Sequence, residues 1–377
     1  MTTQPRADAI VVGAGIVGAA CARALAREGM LVTVVESQFV GGGTTAAGMG
    51  HLVVMDDSPS QLALTALSVE LWRDLRPSLG ASVEFDPCGT LWIAEDASQL
   101  DAAREKARAY HAHGIACEII GPSRLAELEP NLRGGLAGAL LVREDAVIYP
   151  TSAARWLLDD ARAHGATVRE SCTVDEISDR AVRIGHEVLE ADVIVNAAGP
   201  GSVHLTPGLP IVPRKGHLAI TDRAPGFCRH QLVELGYLAS AHVMTNESVA
   251  FNVQPRRTGQ ILIGSSRELV EWDASINRDV LRQMLDRAVQ YMPALSRVPV
   301  LRTWTGFRPA TPDKLPLIGR WGTIAGLFIA AGHEGLGITT SLGTARLIAD
   351  LVAGRRPPID ATAFAPARVL TPSVVSH

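Results

Sequence analysis

The chain has 377 residues, 47% of them hydrophobic, which is long enough for two domains that each bury a core of their own. Its 35 Lys and Arg against 39 Asp and Glu leave a formal charge of −4, so there is no electrostatic case for nucleic acid or an anionic membrane surface. Cysteines at 21, 88, 117, 172 and 228 show neither CxxC nor metal-ligand spacing, which disfavours a disulfide scaffold or a metal site and fits a reduced, cytoplasmic protein.

Residues 8–12 read as a short apolar strand, and the turn Gly13-Ala14-Gly15-Ile16-Val17-Gly18 follows it. A helix then runs to Glu28 and stops at Gly29, and 31–35 form a second buried strand ending at Glu36. Gly13 permits the tight turn, Gly15 lets the backbone approach a pyrophosphate, and Gly18 lets the helix pack on the strand. Phosphates then meet the helix N-terminus, where free N–H groups and the dipole favour anions. Glu36 lies about 20 residues on, where an acid accepts the hydroxyls of an adenosine ribose and repels a 2′-phosphate, which argues against NADP. Arg6 before this apolar run mimics a secretory leader, but turn glycines break the run and the dinucleotide motif accounts for each of them. No uninterrupted apolar stretch of about 18 residues occurs, so no transmembrane segment is expected; attachment to the inner face of a membrane stays open.

Residues 41–50 are a small-residue loop that lets backbone lie against a flat or charged ligand, or else a flexible connector. Ser58-Pro59 caps a helix carrying Leu64, Leu67, Leu71 and Leu75, closed by Pro77. Strands are expected at 83–85, 90–94 and 117–120, with a polar helix at 98–113 whose His111 and His113 are solvated end residues rather than metal ligands. Further strands follow at 138–142 and 146–149, then an amphipathic helix at 151–164 and a strand at 168–174. Residues 192–200 form a buried strand ending in the small-residue turn NAAGP, as a parallel strand facing a ligand crevice would. The stretch 212–265 is strand-rich and suits an antiparallel sheet, and 279–291 is helical. The last section is again strand, glycine turn and long helix, with Ile338, Leu342, Ala345, Ile348, Ala349 and Val352 on its apolar side.

The fold expected is therefore α/β, α+β overall: a Rossmann-like dinucleotide-binding domain of discontinuous segments and an antiparallel, β-rich second domain. The segments are 1–80, 146–212 and 300–365 for the first, 81–145 and 213–299 for the second, and 366–377 as a tail.

The GAGIVG turn with Glu36, TTAAGMG at 44–50, NAAGP at 196–200, WTGFRPATPDKLPLIG at 304–319 and AAGHEGLGI at 330–338 together resemble the FAD-dependent D-amino-acid oxidase family, which includes glycine and sarcosine oxidases. RKGHLAITDR, HQLVELGYL and GHEGLGITTSLGTA look most like its D-hydroxyproline dehydrogenase branch. The resemblance implies FAD, with its ADP half on Gly13, Gly15, Ile16, Gly18, Glu36 and Ser37. Thr44, Thr45, Met49, Gly50 and Gly199 then line the pyrophosphate and flavin, and Val174 touches the adenine. Gly335, Leu336, Gly337 and Ile338 place a helix N-terminus at the flavin's pyrimidine edge, where N–H groups stabilise charge on reduction.

The family reaction is oxidation of an amino acid's C–N bond to an imine by hydride transfer to flavin N5. Its substrate carboxylate needs a planar, permanent cation, and Arg308 matches the family's arginine. His51 faces the substrate amine or flavin N5, or is an ordinary satisfied histidine. His333 and Glu334 occupy the flavin loop, where Glu334 disfavours a further carboxylate and suits a secondary amine or hydroxyl; His217 is a weaker candidate. Asn252 stands where some relatives carry a carboxylate-binding tyrosine. No cysteine lies beyond Cys228 and Thr45 replaces a flavin-linked histidine, so the FAD is expected to be non-covalent. A small D-amino or imino acid is the expected substrate, D-hydroxyproline or D-proline first, with glycine, sarcosine or general D-amino-acid oxidation as the alternative. Members resembling this branch also work with iron–sulfur or other electron-transfer subunits.

Overall fold

The computed structural model describes residues 6–236 and 247–369. Tyr237 and Leu238 of the HQLVELGYL stretch, and the tail beyond residue 369, lie outside the described residues.

Ala9–Val12 is buried at every position and sits inside a six-stranded sheet. The order is Leu317–Arg320, Leu327–Ala331, Val193–Asn196, Ala9–Val12, Val32–Val35, Thr167–Arg169. All neighbours are parallel except the first pair, which is antiparallel. Continuous Val and Ile runs suit strands covered on both faces. Ala9 and Val11 pack beneath helices Ile16–Arg27, Pro150–Ala163 and Gly337–Val352, while Ile10 and Val12 face the opposite side. That side is closed by the meander Glu176–Ser178, Ala181–Ile184 and Glu187–Glu190, through Ile177 and Val182. Each such fully buried aliphatic side chain contributes about 1.5–3 kcal/mol. A Cβ at Gly18 would stand 1.9 Å from the Gly13 carbonyl oxygen, so glycine is what lets the first helix cross so close to the turn.

The second sheet has eight strands: Val300–Ala310, Val212–Thr221, Ile261–Glu268, Glu247–Pro255, Gln231–Glu234, Thr90–Ala94, Gly138–Val142 and Cys117–Ile120. One face is covered by helix Arg278–Tyr291, which starts where the Asn277 side chain accepts from Asp279 N and Val280 N. Its Tyr291 ring stacks on Phe251 with centroids 4.2 Å apart. Alternation places Leu91 and Ile93 on that face and Trp92 on the other, with Val53, Leu62 and Tyr110.

Several local expectations change. Residues 83–85 form no strand: Ala81–Val83 is a 3₁₀ turn and Glu84 adopts φ 51°, its carboxylate held by Arg256 at 2.7 Å. The strand expected at 168–174 is only Thr167–Arg169, because the chain turns through Ser171 at φ 55°. The meander at 176–190 and the short helix Pro122–Leu128 went unanticipated. Val300–Ala310, expected among the cofactor-binding segments, is instead the edge strand of the eight-stranded sheet, paired along its length with Val212–Thr221. Nor is that sheet wholly antiparallel, since Gln231–Glu234 runs parallel to Thr90–Ala94. Part of the expected tail, Pro366–Val369, is a 3₁₀ turn anchored by Arg368 on Asp313 at 2.7 Å.

Candidate active site

A cleft of about 880 Å³ separates the C-terminal ends of the parallel strands from the inner face of the eight-stranded sheet. Its nucleotide end is built by Glu36, which follows strand Val32–Val35. One carboxylate oxygen accepts from Ala14 N at 2.7 Å, and the other from Gln38 N at 2.8 Å and Ser37 Oγ at 3.2 Å. The group is thereby oriented while lone pairs remain for a sugar's hydroxyls. Gly15 starts helix Ile16–Arg27 with no side-chain cap, although Thr45 Oγ1 accepts from Ile16 N at 3.0 Å. Ile16 and Val17 of that first turn, whose N–H groups have no partner within the helix, line the cleft. Gly13, Ile16, Thr44, Val174 and Gly199 line the same end. An aimed acid, an uncapped helix N-terminus and an elongated, glycine-floored cleft fit FAD. Gly18 lies off the wall and acts through packing.

Further along, Thr44 Oγ1 donates to the Phe307 carbonyl at 2.6 Å, and Gln254 Nε2 donates to the Met49 carbonyl at 2.7 Å. These bonds fasten the small-residue loop to the eight-stranded sheet, and Met49 packs on Leu218 and Leu262. Helix Gly337–Val352 also begins without a side-chain cap, and Gly50, Gly335, Gly337 and Ile338 line the wall there. Leu336 instead lines a smaller adjoining cavity.

The far end carries the cations. Arg308 projects from Val300–Ala310, directly across from Arg214 in the register, and its Nη1 donates to the Ser266 carbonyl at 2.9 Å. Its guanidinium lies close against Gly216, where a Cβ would stand 2.3 Å from Nη1 and 2.7 Å from Cζ. Glu334 is held by Arg267 Nε at 3.2 Å and Arg214 Nη1 at 3.9 Å. Burial pushes its carboxyl up, but Arg267, Arg308, the Gly335 N–H and Arg214 together hold it at about 2. The acid is therefore balanced by arginine, and the expectation that it repels a further carboxylate does not fit this arrangement.

His51 sits beside Gln254, Arg308 and Asn252, and burial lowers its pKa to about 4. Among the described residues its Nε2 has no hydrogen-bond partner, and neither has Asn252 Oδ1, although Gln254 and Asn252 both stand within hydrogen-bonding reach of the ring. His51 and Asn252 line the cleft. His333 also lines it, with Nε2 3.0 Å from Thr344 Oγ1, and burial lowers it to about 3. Both imidazoles are neutral at physiological pH. His217 is a correction: it is fully buried on the other side of its strand, between Ser266 Oγ at 3.0 Å and Asn277 N at 3.0 Å, and does not line the cleft.

Sequence reasoning missed Arg214, Gly216, Gln254 and Arg267. The alternation in Arg214-Lys215-Gly216 was a usable signal, since it puts the first and third residues on the face that carries Arg308. Among the described residues no group of three His, Cys, Asp or Glu is arranged to hold a metal ion, and no helix is long and apolar enough to cross a membrane.

The sequence pattern of the family described as FAD dependent oxidoreductase matches residues 8–351. Over 380 residues the chain is 28% identical to glycine oxidase of Pseudomonas putida, covering 95% of this chain and 97% of that one. It is 30% identical to D-amino acid dehydrogenase of Xanthobacter autotrophicus over 325 residues, 81% of this chain and 73% of the other. It is 26% identical to hydrogen cyanide synthase subunit HcnC of Pseudomonas aeruginosa, with 96% of each covered. In fold it matches the crystal structure of glycine oxidase from Geobacillus kaustophilus at a TM-score of 0.86 and 24% identity, over 96% of this chain and 99% of that one.

Proposed function

Because the chain belongs to the family of FAD-dependent oxidoreductases, we propose that it oxidises the C–N bond of a small amino or imino acid to the imine. The observation that carries this reading is Arg308, a guanidinium packed close against Gly216 at the end of the cleft away from the nucleotide-binding turn. A planar cation that never loses its proton suits a carboxylate, which it binds through two parallel hydrogen bonds.

FAD, when bound, supplies the hydride acceptor, so the protein's own part is binding, orientation and control of protons. Gly13, Gly15, Ile16, Glu36 and Ser37 would hold the ADP half, and Thr44, Thr45, Met49, Gly50, Val174 and Gly199 the remainder. Segments within 1–80, 146–211 and 311–365 carry those groups, and segments within 81–145 and 212–310 carry the substrate. Arg308 fixes the carboxylate and thus the orientation of Cα. His51, neutral through burial, and Asn252, with a free carbonyl oxygen, are placed to accept N–H bonds from a substrate amine. Met49, Leu218 and Leu262 keep water from that part of the cleft. The uncapped first turn at Gly337 and Ile338 favours negative charge on a neighbouring group.

Within this class, the likeness to D-hydroxyproline dehydrogenases supports D-hydroxyproline or D-proline as first substrate, ahead of glycine, sarcosine or general D-amino acids. Mixing the yellow protein with each compound under anaerobic conditions tests this, since reduction removes the oxidised flavin's visible absorbance. D-hydroxyproline and D-proline are expected to bleach the flavin fastest; faster bleaching by glycine or sarcosine would contradict the ranking.

A second reading, a flavin-bearing subunit of a larger electron-transfer complex, is supported by the end-to-end match to a hydrogen cyanide synthase subunit. It predicts that substrate-reduced protein stays bleached in air, and prompt recovery of colour would count against it. A cytoplasmic setting, free or at the inner face of a membrane, belongs to both readings and is supported by cysteines scattered without pair spacing.

A further inference from the structure

The strand that carries Arg308 is braced from behind. Alternation along Val212–Thr221 turns Gly216 to the Arg308 side and Lys215 and His217 to the reverse. There the segment 269–277 crosses both strands. Thr305 Oγ1 donates to the Ala274 carbonyl at 2.7 Å, Lys215 Nζ to the Ser275 carbonyl at 3.1 Å, and Asn277 N to His217 Nε2 at 3.0 Å. Trp272 adds an edge-on contact with Phe307, ring centroids 5.5 Å apart. Asn277 also caps helix Arg278–Tyr291, so the brace ends on a regular element.

Through His217 this brace reaches the group that holds Arg308. A ring nitrogen that accepts from Asn277 N carries no proton, so in the neutral imidazole Nδ1 carries it and donates to Ser266 Oγ at 3.0 Å. Burial keeps the ring neutral against the pull of Glu268, and Lys215 and Arg308 act in the same direction as burial. The His217 backbone N–H donates to the same hydroxyl oxygen at 2.9 Å, and the Ser266 carbonyl accepts from Arg308 Nη1 at 2.9 Å. These bonds lie where the sheet is irregular. Lys215 pairs with Glu268 and Ala219 with Ile263, so residues 216–218 face residues 264–267, one more on the second strand. A bulge of that kind interrupts the backbone ladder, which leaves side-chain bonds to fix Ser266 against Val212–Thr221. His217 is 0% and Ser266 1% exposed, so water does not stand in for the bond between them.

We propose that His217 is a positioning residue for Arg308: through Ser266 it sets where the guanidinium sits, and so where the substrate carboxylate is held. The inference rests on the reading that Arg308 takes that carboxylate. His217 itself touches neither the cleft nor the substrate; it acts only through the serine.

The test uses the FAD-loaded protein and compares the efficiency of anaerobic flavin reduction by D-proline with that by its carboxamide, a ratio that reports on Arg308 rather than on folding. Gln places its amide where Nε2 stands and Asn where Nδ1 stands, so His217→Gln breaks the bond to Ser266 and His217→Asn keeps it. The acid preference is expected to fall at least about 10-fold in His217→Gln and in Ser266→Ala, and about threefold or less in His217→Asn. A purely structural role reverses the order of the two histidine variants, because Asn leaves the larger cavity. In an Arg308→Ala background His217→Gln is expected to cost about threefold or less in efficiency with the acid, since its path runs through Arg308. An undiminished preference in His217→Gln and Ser266→Ala, a greater loss in His217→Asn than in His217→Gln, or a full loss repeated in the Arg308→Ala background would overturn the proposal. Should His217→Gln fail to retain flavin, Ser266→Ala, which removes a single oxygen, carries the comparison. Failure of the parent reading looks different: the wild type itself then shows no preference for the acid, and the inference falls with it.

Discussion

Arg308 is fixed at both ends of its side chain: its strand pairs with Val212–Thr221, and its guanidinium is hydrogen-bonded to Ser266 and laid over Gly216. Removing one partner of a desolvated charge pair costs about 2–5 kcal/mol, so Arg308→Ala is expected to raise KM about 30- to 4,000-fold while the protein stays yellow. Gly216→Ala tests the positioning separately. Its methyl group would need the space now held by Nη1 and Cζ, and a displacement of about 1 Å costs on the order of 100-fold in kcat/KM. That variant should keep its flavin content; an unchanged kcat/KM would show that Gly216 has no part in holding Arg308.

The buried imidazoles give a prediction with a sign. An ordinary histidine titrates near pH 6.5, whereas His51 and His333 are lowered to about 4 and about 3. Burial favours their neutral form, so they bind fewer protons folded than unfolded below pH 6.5. Their stabilising contribution is complete above pH 6.5 and is lost as pH falls, down to about 4 for His51 and about 3 for His333. Thermal unfolding should show Tm declining through that window, and replacing His333 by Gln should flatten the decline. Flavin reduction should show no inflection near pH 6.5 arising from either group.

At the scale of elements, the strand–turn–helix at 9–27 was legible because everything that specifies it is local. Gly13, Gly15 and Gly18 occupy fixed offsets, and Gly18 meets an atom only five residues away. Gly18→Ala forces a methyl group into the Gly13 carbonyl, an overpacking of about 1–3 kcal/mol. Purified Gly18→Ala should carry less FAD per chain and melt earlier than the wild type; full FAD content would contradict this account of the turn. Strand Val300–Ala310 shows the opposite case. Nothing in its own residues says which sheet it joins, and only pairing with a strand some 90 residues earlier decides it. Arg214 and Arg267 stayed hidden for the same reason. They meet Glu334 because strands Val212–Thr221 and Ile261–Glu268 pair through an irregular register, which no local pattern announces. Ser171 and Glu84 ended expected strands through left-handed backbone at residues that are not glycine, where sequence gives little warning.

For the whole molecule, two sheets with separate cores enclose a cleft with Glu36 and the glycine turn at one end and Arg308 at the other, and Arg214 and Arg267 line a smaller cavity beside it. Family membership and the nucleotide end were readable from motifs spread along the chain. Substrate chemistry is less so, because it depends on how side chains from distant strands converge. The central claim is that Arg308 holds a substrate carboxylate during flavin reduction. The most direct measurement is rapid-mixing, anaerobic reduction of wild type and Arg308→Ala, each with D-proline and with its carboxamide. The account predicts that the wild type prefers the acid by at least about 30-fold and that Arg308→Ala loses this preference while keeping its yellow colour. Equal rates for acid and amide in the wild type, or an undiminished preference in Arg308→Ala, would contradict it.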